Sequence, residues 1–225
     1  MSDCNNCPAQ GECANRENCI IEHNPYSSIK RIVGVMSGKG GVGKSSLSAL
    51  LAKELQNRGF VVGIMDADLT GPSIPRLLGV KDKKAGQNEL GILLVFSKEK
   101  ISVMSINILL EEESQPVIWR GPLISNTVKQ FYTEVFWGDL DYLIVDLPPG
   151  TSDVALTVMQ FIPISGMLIV GVAQEMVFMI VQKAMNMAKE LNVMILGMVE
   201  NFSYIKCPDC RKKIKIFSAE KAVSF

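Results

Sequence analysis

The stretch Gly38-Lys39-Gly40-Gly41-Val42-Gly43-Lys44-Ser45 follows the apolar run Ile32-Val33-Gly34-Val35-Met36 and opens a helical stretch from Ser45 onward. Strand, glycine-rich turn and helix in that order make a phosphate-binding loop. Backbone amides must turn inward around phosphate oxygens, which needs glycines at the steep turns, and the helix behind them adds its positive N-terminal dipole. The sequence therefore predicts binding of a nucleoside triphosphate. Lys44 is expected to reach the terminal phosphates and the Ser45 hydroxyl to ligate magnesium, with Ser46 beside them as a further nucleotide-binding residue. Such a loop sits at the carboxyl end of a sheet strand, so it constrains the fold as well as the ligand.

The remaining pattern agrees with that constraint. From Lys30 onward, apolar runs alternate with longer amphipathic segments, the signature of strand-helix units around a parallel sheet. Strands are expected at 32–36, 60–65, 101–106, 142–145, 166–172 and 194–199, and helices at 45–58, 125–136, 154–161 and 177–191. Glycines at 86 and 91 flank short apolar alternations, so 88–97 is expected to form a hairpin with the strand that follows. The fold class is α/β, a doubly wound, mostly parallel sheet of the P-loop NTPase kind. Residues 1–28 are read as a cysteine-rich metal-binding extension and 29–225 as one ATPase domain. Met176, Met179, Met185 and Met187 cluster on one helix, where core packing is the expected role.

Equal numbers of acidic and basic side chains, 23 of each, argue against a polyanion-binding surface or a basic membrane anchor. Neither nucleic acid nor membrane is expected as a partner. No apolar stretch is long enough to span a bilayer, since even 162–172 is interrupted by Pro163, Ser165 and Gly166. The polar N-terminus lacks the pattern of a secretory signal, and a cytoplasmic location is expected.

Two further segments carry acids at strand ends. Asp66-Ala67-Asp68 places two carboxylates on the same side, toward the phosphates. Asp68 is expected to orient or activate the attacking water, with Asp66 supporting magnesium or its waters. Tyr142-Leu143-Ile144-Val145-Asp146 is an apolar strand ending in an acid, the usual design for a magnesium-binding aspartate. Pro148-Pro149-Gly150 after it suits a segment that senses the terminal phosphate, and Gly71-Pro72 a loop that changes with nucleotide state.

Lys39, directly after the first glycine, resembles the signature lysine of the deviant P-loop ATPases related to MinD, ParA and the nitrogenase iron protein, the SIMIBI type. That resemblance implies a homodimer in which Lys39 reaches the partner's nucleotide, as an arginine finger would. The run Asp141-Tyr142-Leu143-Ile144-Val145-Asp146-Leu147-Pro148-Pro149-Gly150-Thr151 adds specificity, with Trp119-Arg120-Gly121-Pro122 before it and Val199-Glu200-Asn201-Phe202-Ser203 then Cys207-Pro208-Asp209-Cys210 after it. Together these resemble the Mrp/ApbC group of ATPases, over about residues 30–210. The resemblance implies an ATP-dependent iron-sulfur cluster carrier or scaffold that delivers its cluster to apo iron-sulfur proteins and hydrolyses ATP slowly. It also implies that Asn201 contacts the adenine ring. A positioning ATPase like ParA or MinD, and an electron donor like the nitrogenase reductase, are the competing readings. Members of the group continue beyond the C-x-x-C region with another helix and strand, so a truncated C-terminus is expected at Phe225.

Six cysteines fall in two clusters. In a cytosolic nucleotide-binding chain, clustered thiols point to metal more than to disulfides. Cys207 and Cys210 supply two thiolates where a cubane cluster needs four, leaving zinc and a redox-active dithiol open on spacing alone. The family resemblance implies instead one 4Fe-4S cluster bridging two chains. Cys4, Cys7, Cys13 and Cys19 supply four sulfurs in one short segment, and the part from Cys4 to Cys13 resembles the ferredoxin-like motif of the scaffold branch. With no room upstream, Cys19 has to serve as the fourth ligand, and zinc or a labile cluster competes there. His23 is the one histidine and an alternative ligand, with a solvated polar role the simpler reading.

Overall fold

Apolar runs without polar alternation must be covered on both faces, which a parallel sheet between helices provides. The computed structural model describes residues 20–69, 71–110, 121–172 and 175–215. In chain order these form β1 (Ser28–Ser37), α1 (Lys44–Asn57), β2 (Val62–Asp66), α2 (Ile74–Leu77), β3 (Gln87–Asn88), β4 (Gly91–Ile92), β5 (Val95–Phe96) and β6 (Ser102–Met104). A 3-10 turn at Ile106–Ile108 precedes α3 (Gly121–Thr133), β7 (Asp139–Asp146), α4 (Asp153–Phe161), β8 (Gly166–Val172), α5 (Glu175–Glu190) and β9 (Ile195–Asn201). The short β10 (Ile205–Lys206) and β11 (Lys213–Ile214) close the described chain.

Seven strands make one sheet in the order β5-β6-β2-β7-β1-β8-β9. All its pairings are parallel except β5 with β6. Connections from β1 to β2 and from β7 to β8 step in opposite directions across the sheet. Right-handed crossovers then put their helices on opposite faces. Accordingly α1 packs on β1, β2 and β7, while α3 and α4 pack on each other. β7 and β1 lie at the centre, with Val35, Met36, Leu143, Ile144 and Val145 removed from solvent. Among the described residues no helix is long and apolar enough to cross a membrane.

Most expected elements are present with ends moved by a few residues. α3 begins at Gly121 rather than 125, because a proline in the first turn removes only an amide that has no helical partner. The expected hairpin over 88–97 is divided in two. β3 pairs with β4 across a turn in which the Leu90 amide donates to Asn88 Oδ1 at 2.9 Å, and β5 separately runs antiparallel to β6. The cause is a tertiary anchor. The Ile92 amide donates to Glu134 O at 3.0 Å and its carbonyl accepts from Phe136 N at 2.9 Å, so the chain after α3 holds β4. Of the methionines on α5, Met185 is buried and Met187 half-buried against the core; the side chains of Met176 and Met179 lie outside the described residues.

Residues 20–27 run along the domain. The Ile21 amide donates to Phe161 O at 2.9 Å, and Asn24, 4% exposed, donates through Nδ2 to Leu90 O at 2.7 Å. His23 is half-buried, with Nδ1 2.9 Å from Asn24 O and its ring edge-on to Tyr132.

Gly91 is where this packing is tightest. Its φ is 125°, and a Cβ there would stand 2.1 Å from Glu134 O, a backbone atom that cannot step aside. Gly91→Ala is expected to lower the melting temperature by roughly 5–10 °C. Gly86→Ala, whose Cβ would meet Leu93 at an ordinary 3.6 Å, is expected to change it far less. Thermal unfolding followed by circular dichroism compares the two.

Candidate functional site

The loop after β1 carries Lys44 and Ser45 into α1, and β7 brings Asp146 to the same level beside β1 and β2, in register with Val35 and Asp66. Asp146 is fully buried and accepts three side-chain donors. Lys44 Nζ lies 2.8 Å from Oδ2, Ser45 Oγ 2.6 Å from the same oxygen, and Ser48 Oγ 2.7 Å from Oδ1. Lys44 is itself buried, also 3.3 Å from Ser45 Oγ and 3.9 Å from Asp68 Oδ2. Ser48 was not expected. It stands one helical turn after Lys44, a spacing that puts both on one face.

Asp66 is likewise fully buried at the neighbouring strand end. Its carboxylate accepts from the Asp68 amide at 3.2 Å, the Ile74 amide at 3.2 Å and, at 3.4 Å, Ser105 Oγ. Burial, and next the Asp146 carboxylate, hold its pKa well above the usual carboxylate range and favour the neutral acid, against the Ile74 hydrogen bond and the Lys44 charge. Buried Lys44 thus faces three carboxylates, two of them out of solvent. An all-oxygen donor set with surplus negative charge fits a hard divalent cation, and these residues fit magnesium. Ser105, from the loop after β6, had no local sequence signal.

The segment after β7 lies against the start of the phosphate loop. Leu147 N donates to Val35 O at 3.0 Å and Gly150 N to Ser37 O at 2.7 Å, so Pro148-Pro149-Gly150 lies directly on the loop's first residues. Ser37 Oγ donates to Lys39 O at 3.0 Å; Lys39 is half-buried and Ser46 exposed. Ser152 caps α4 by accepting from the Ala155 amide. Asn201, at the end of β9, donates through Nδ2 to Val42 O at 2.9 Å. Gly43 has φ 87°, and a Cβ on it would stand 2.4 Å from that Asn201 nitrogen. Glycine is therefore required there both by its backbone and by its neighbour.

Cys207 and Cys210 stand at the tip of the β10–β11 hairpin, which the sequence reading did not foresee. Cys207 N donates to Lys212 O and Arg211 N to Cys207 O, both at 2.9 Å, and Arg211 takes φ 57° to close the turn. Cys207 is half-buried and Cys210 exposed, both free thiols. Hydrogen bonds from the Cys210 and Asp209 amides, then from the Cys210 side chain, lower the Cys207 thiol below its ordinary range. Lys206, Arg211, Lys212, Lys213 and Lys215 are all exposed around it. Among the described residues, no histidine, carboxylate or further cysteine joins Cys207 and Cys210 to complete a metal site within the chain. One hairpin thus presents two sulfurs. Cys4, Cys7, Cys13 and Cys19, and the Trp119-Arg120 pair, lie outside the described residues.

Because the donors stabilise the thiolate, alkylation of Cys207 in the reduced apo protein is expected to reach half its maximal rate at a lower pH than an unperturbed thiol. Site-resolved mass spectrometry across a pH series measures this. A midpoint at the ordinary thiol value would contradict it.

Comparison with known proteins places this architecture. Residues 28–225 match the ParA family described as the NUBPL iron-transfer P-loop NTPase. The iron-sulfur cluster carrier protein of Clostridium perfringens is 42% identical over 97% of this chain and 79% of its own length. The cytosolic Fe-S cluster assembly factor NUBP2 homolog of Culex quinquefasciatus is 45% identical over 87% of this chain and 78% of its own. Among solved structures, the nucleotide-binding protein of Archaeoglobus fulgidus in complex with ADP, with cobalt, superposes with a TM-score of 0.74 at 43% identity, covering 84% of this chain and 73% of that one. The septum site-determining protein MinD of Pyrococcus horikoshii, complexed with Mg-ADP, is 21% identical with a TM-score of 0.54 over 77% of this chain and 70% of its own, and shares the fold. With its phosphate loop, buried aspartates and cysteine hairpin in that frame, the chain belongs to the iron-transfer P-loop NTPases of the ParA family, the same group its Mrp/ApbC-like motifs resembled.

Proposed function

We propose that this chain is an ATP-dependent carrier or scaffold that holds a 4Fe-4S cluster and delivers it to apo iron-sulfur proteins. The observation that carries this reading is a two-thiol hairpin joined to the nucleotide loop by one short segment, in a chain whose relatives are named iron-sulfur cluster carriers. Two hairpin sulfurs per chain suit a cluster shared by two chains, so the working unit is a homodimer with Cys207 and Cys210 contributed by each. Cys4, Cys7, Cys13 and Cys19 form a second metal site. Relatives named cytosolic assembly factors support a cytoplasmic setting.

Chemistry at the nucleotide follows from the buried cluster. Loop amides from Gly38 to Ser45 cradle the phosphates, with Ser46 behind them. Lys44 exchanges its contact with Asp146 for the terminal phosphates, which leaves Asp146 and Ser45 to hold magnesium and Asp66 to orient its waters. Magnesium, when bound, neutralises charge on the phosphate oxygens. Asp68 positions the attacking water, and Lys39 acts on the partner's nucleotide. Asn201 meets the adenine ring.

Two experiments test this reading. Anaerobic reconstitution with iron and sulfide is expected to yield about four irons per dimer at the hairpin, lost in Cys207→Ala/Cys210→Ala, with any remainder assigned to the N-terminal cysteines. Iron content unchanged in that variant would remove the reading's main support. Lys39→Ala is expected to keep nucleotide affinity within about threefold while ATP turnover falls on the order of 100-fold or more. Titration with a fluorescent nucleotide and a phosphate-release assay separate the two effects; a variant with undiminished turnover would exclude the trans-acting role.

A further inference from the structure

β9 is an edge strand bonded to β8 alone among the described residues, with a register irregularity at Met167/Leu168. Its end is seated on the phosphate loop. Asn201 Nδ2 donates to Val42 O at 2.9 Å, and the space beside Gly43 is filled by that nitrogen and, at 3.7 Å, by the Phe202 ring tip. Phe202 itself takes φ 54°, a left-handed conformation that a bulky residue adopts only when its surroundings impose it, and it is 48% exposed. Cys207 follows Asn201 by six residues. Tyr204 is exposed, as are both residues of β10 and of β11, so the hairpin's direction depends on the backbone at 202–204.

We propose that Asn201 and Phe202 are positioning residues that couple occupancy of the phosphate loop to the pose of the cysteine hairpin. A nucleotide that shifts the Val42 carbonyl, or takes over the Asn201 amide, removes the anchor that keeps Phe202 left-handed. Phe202 then relaxes to negative φ and the arm bearing Cys207 and Cys210 turns with it. These two backbone states form the bistable element that both sites bias, and the coupling is reciprocal, so a change at the hairpin alters nucleotide affinity by the same factor. Its biological meaning rests on the carrier reading, whereas the coupling itself does not require a bound cluster.

The test is site-resolved maleimide alkylation of Cys207 and Cys210 in the reduced apo protein, with and without Mg-ADP or a non-hydrolysable ATP analogue. In the wild type, nucleotide is expected to change the alkylation rate by about fivefold or more. Phe202→Gly, which accepts either sign of φ without cost, is expected to retain nucleotide binding, its affinity altered by no more than about the coupling factor, while the response falls below about 1.5-fold. Phe202→Asn, which also tolerates the left-handed region, replaces it if the glycine variant loses nucleotide binding. A wild type whose thiols ignore nucleotide, or a Phe202 variant that keeps the full response, would overturn the proposal. Failure of the carrier reading would register separately, as absence of iron at the hairpin after reconstitution.

Discussion

The buried contact between Lys44 and Asp146 organises this protein. It joins the first residue of α1 to the last residue of the central strand β7, and Ser45 and Ser48 close on the same carboxylate. A buried ion pair adds little net stability by itself, because desolvation offsets most of the attraction. Its value here is geometric. Removing either partner would strand the other charge in the core, so the arrangement persists only while loop, helix and strand keep their register. A phosphate site built this way is already in place before nucleotide arrives, which limits the reorganisation binding requires.

The same cluster explains why the site should favour a divalent cation. Asp66 and Asp146 end adjacent parallel strands in direct register, and parallel pairing forces their carboxylates close. Lys44 lies against Asp146, while Asp66 is left in surroundings that favour its neutral form. That imbalance is costly in an empty site and useful in a filled one, since a hard cation stabilises both carboxylates at once. The central strands thus bear a local penalty whose return lies in ligand binding.

Much of this was legible in the sequence because the parts concerned are local. A phosphate loop needs particular residue types at consecutive positions, and Asp146 follows an uninterrupted apolar run, so both announce themselves. Ser48 was visible in principle through its one-turn spacing from Lys44. Ser105 and the Asn201 contact with Val42 were not, because they arise only when strands distant in sequence become neighbours. The cysteine hairpin escaped for another reason: strands of two residues carry no periodicity, and its turn relies on Arg211 rather than glycine in the left-handed region. The hairpin expected between 88–97 and the following strand forms only through β5 and β6, because Glu134, far along the chain, fixes where β4 must lie.

The central claim is that the cysteine hairpin carries a cluster that passes intact to another protein. The most direct measurement is transfer from the reconstituted protein, its iron isotopically labelled, to an acceptor enzyme that needs a 4Fe-4S cluster, in the presence of an iron chelator. The account predicts that labelled iron and acceptor activity appear together despite the chelator, and that both disappear when the donor lacks Cys207 and Cys210. Acceptor activation that the chelator abolishes would mean that free iron is the delivered species and would contradict the account.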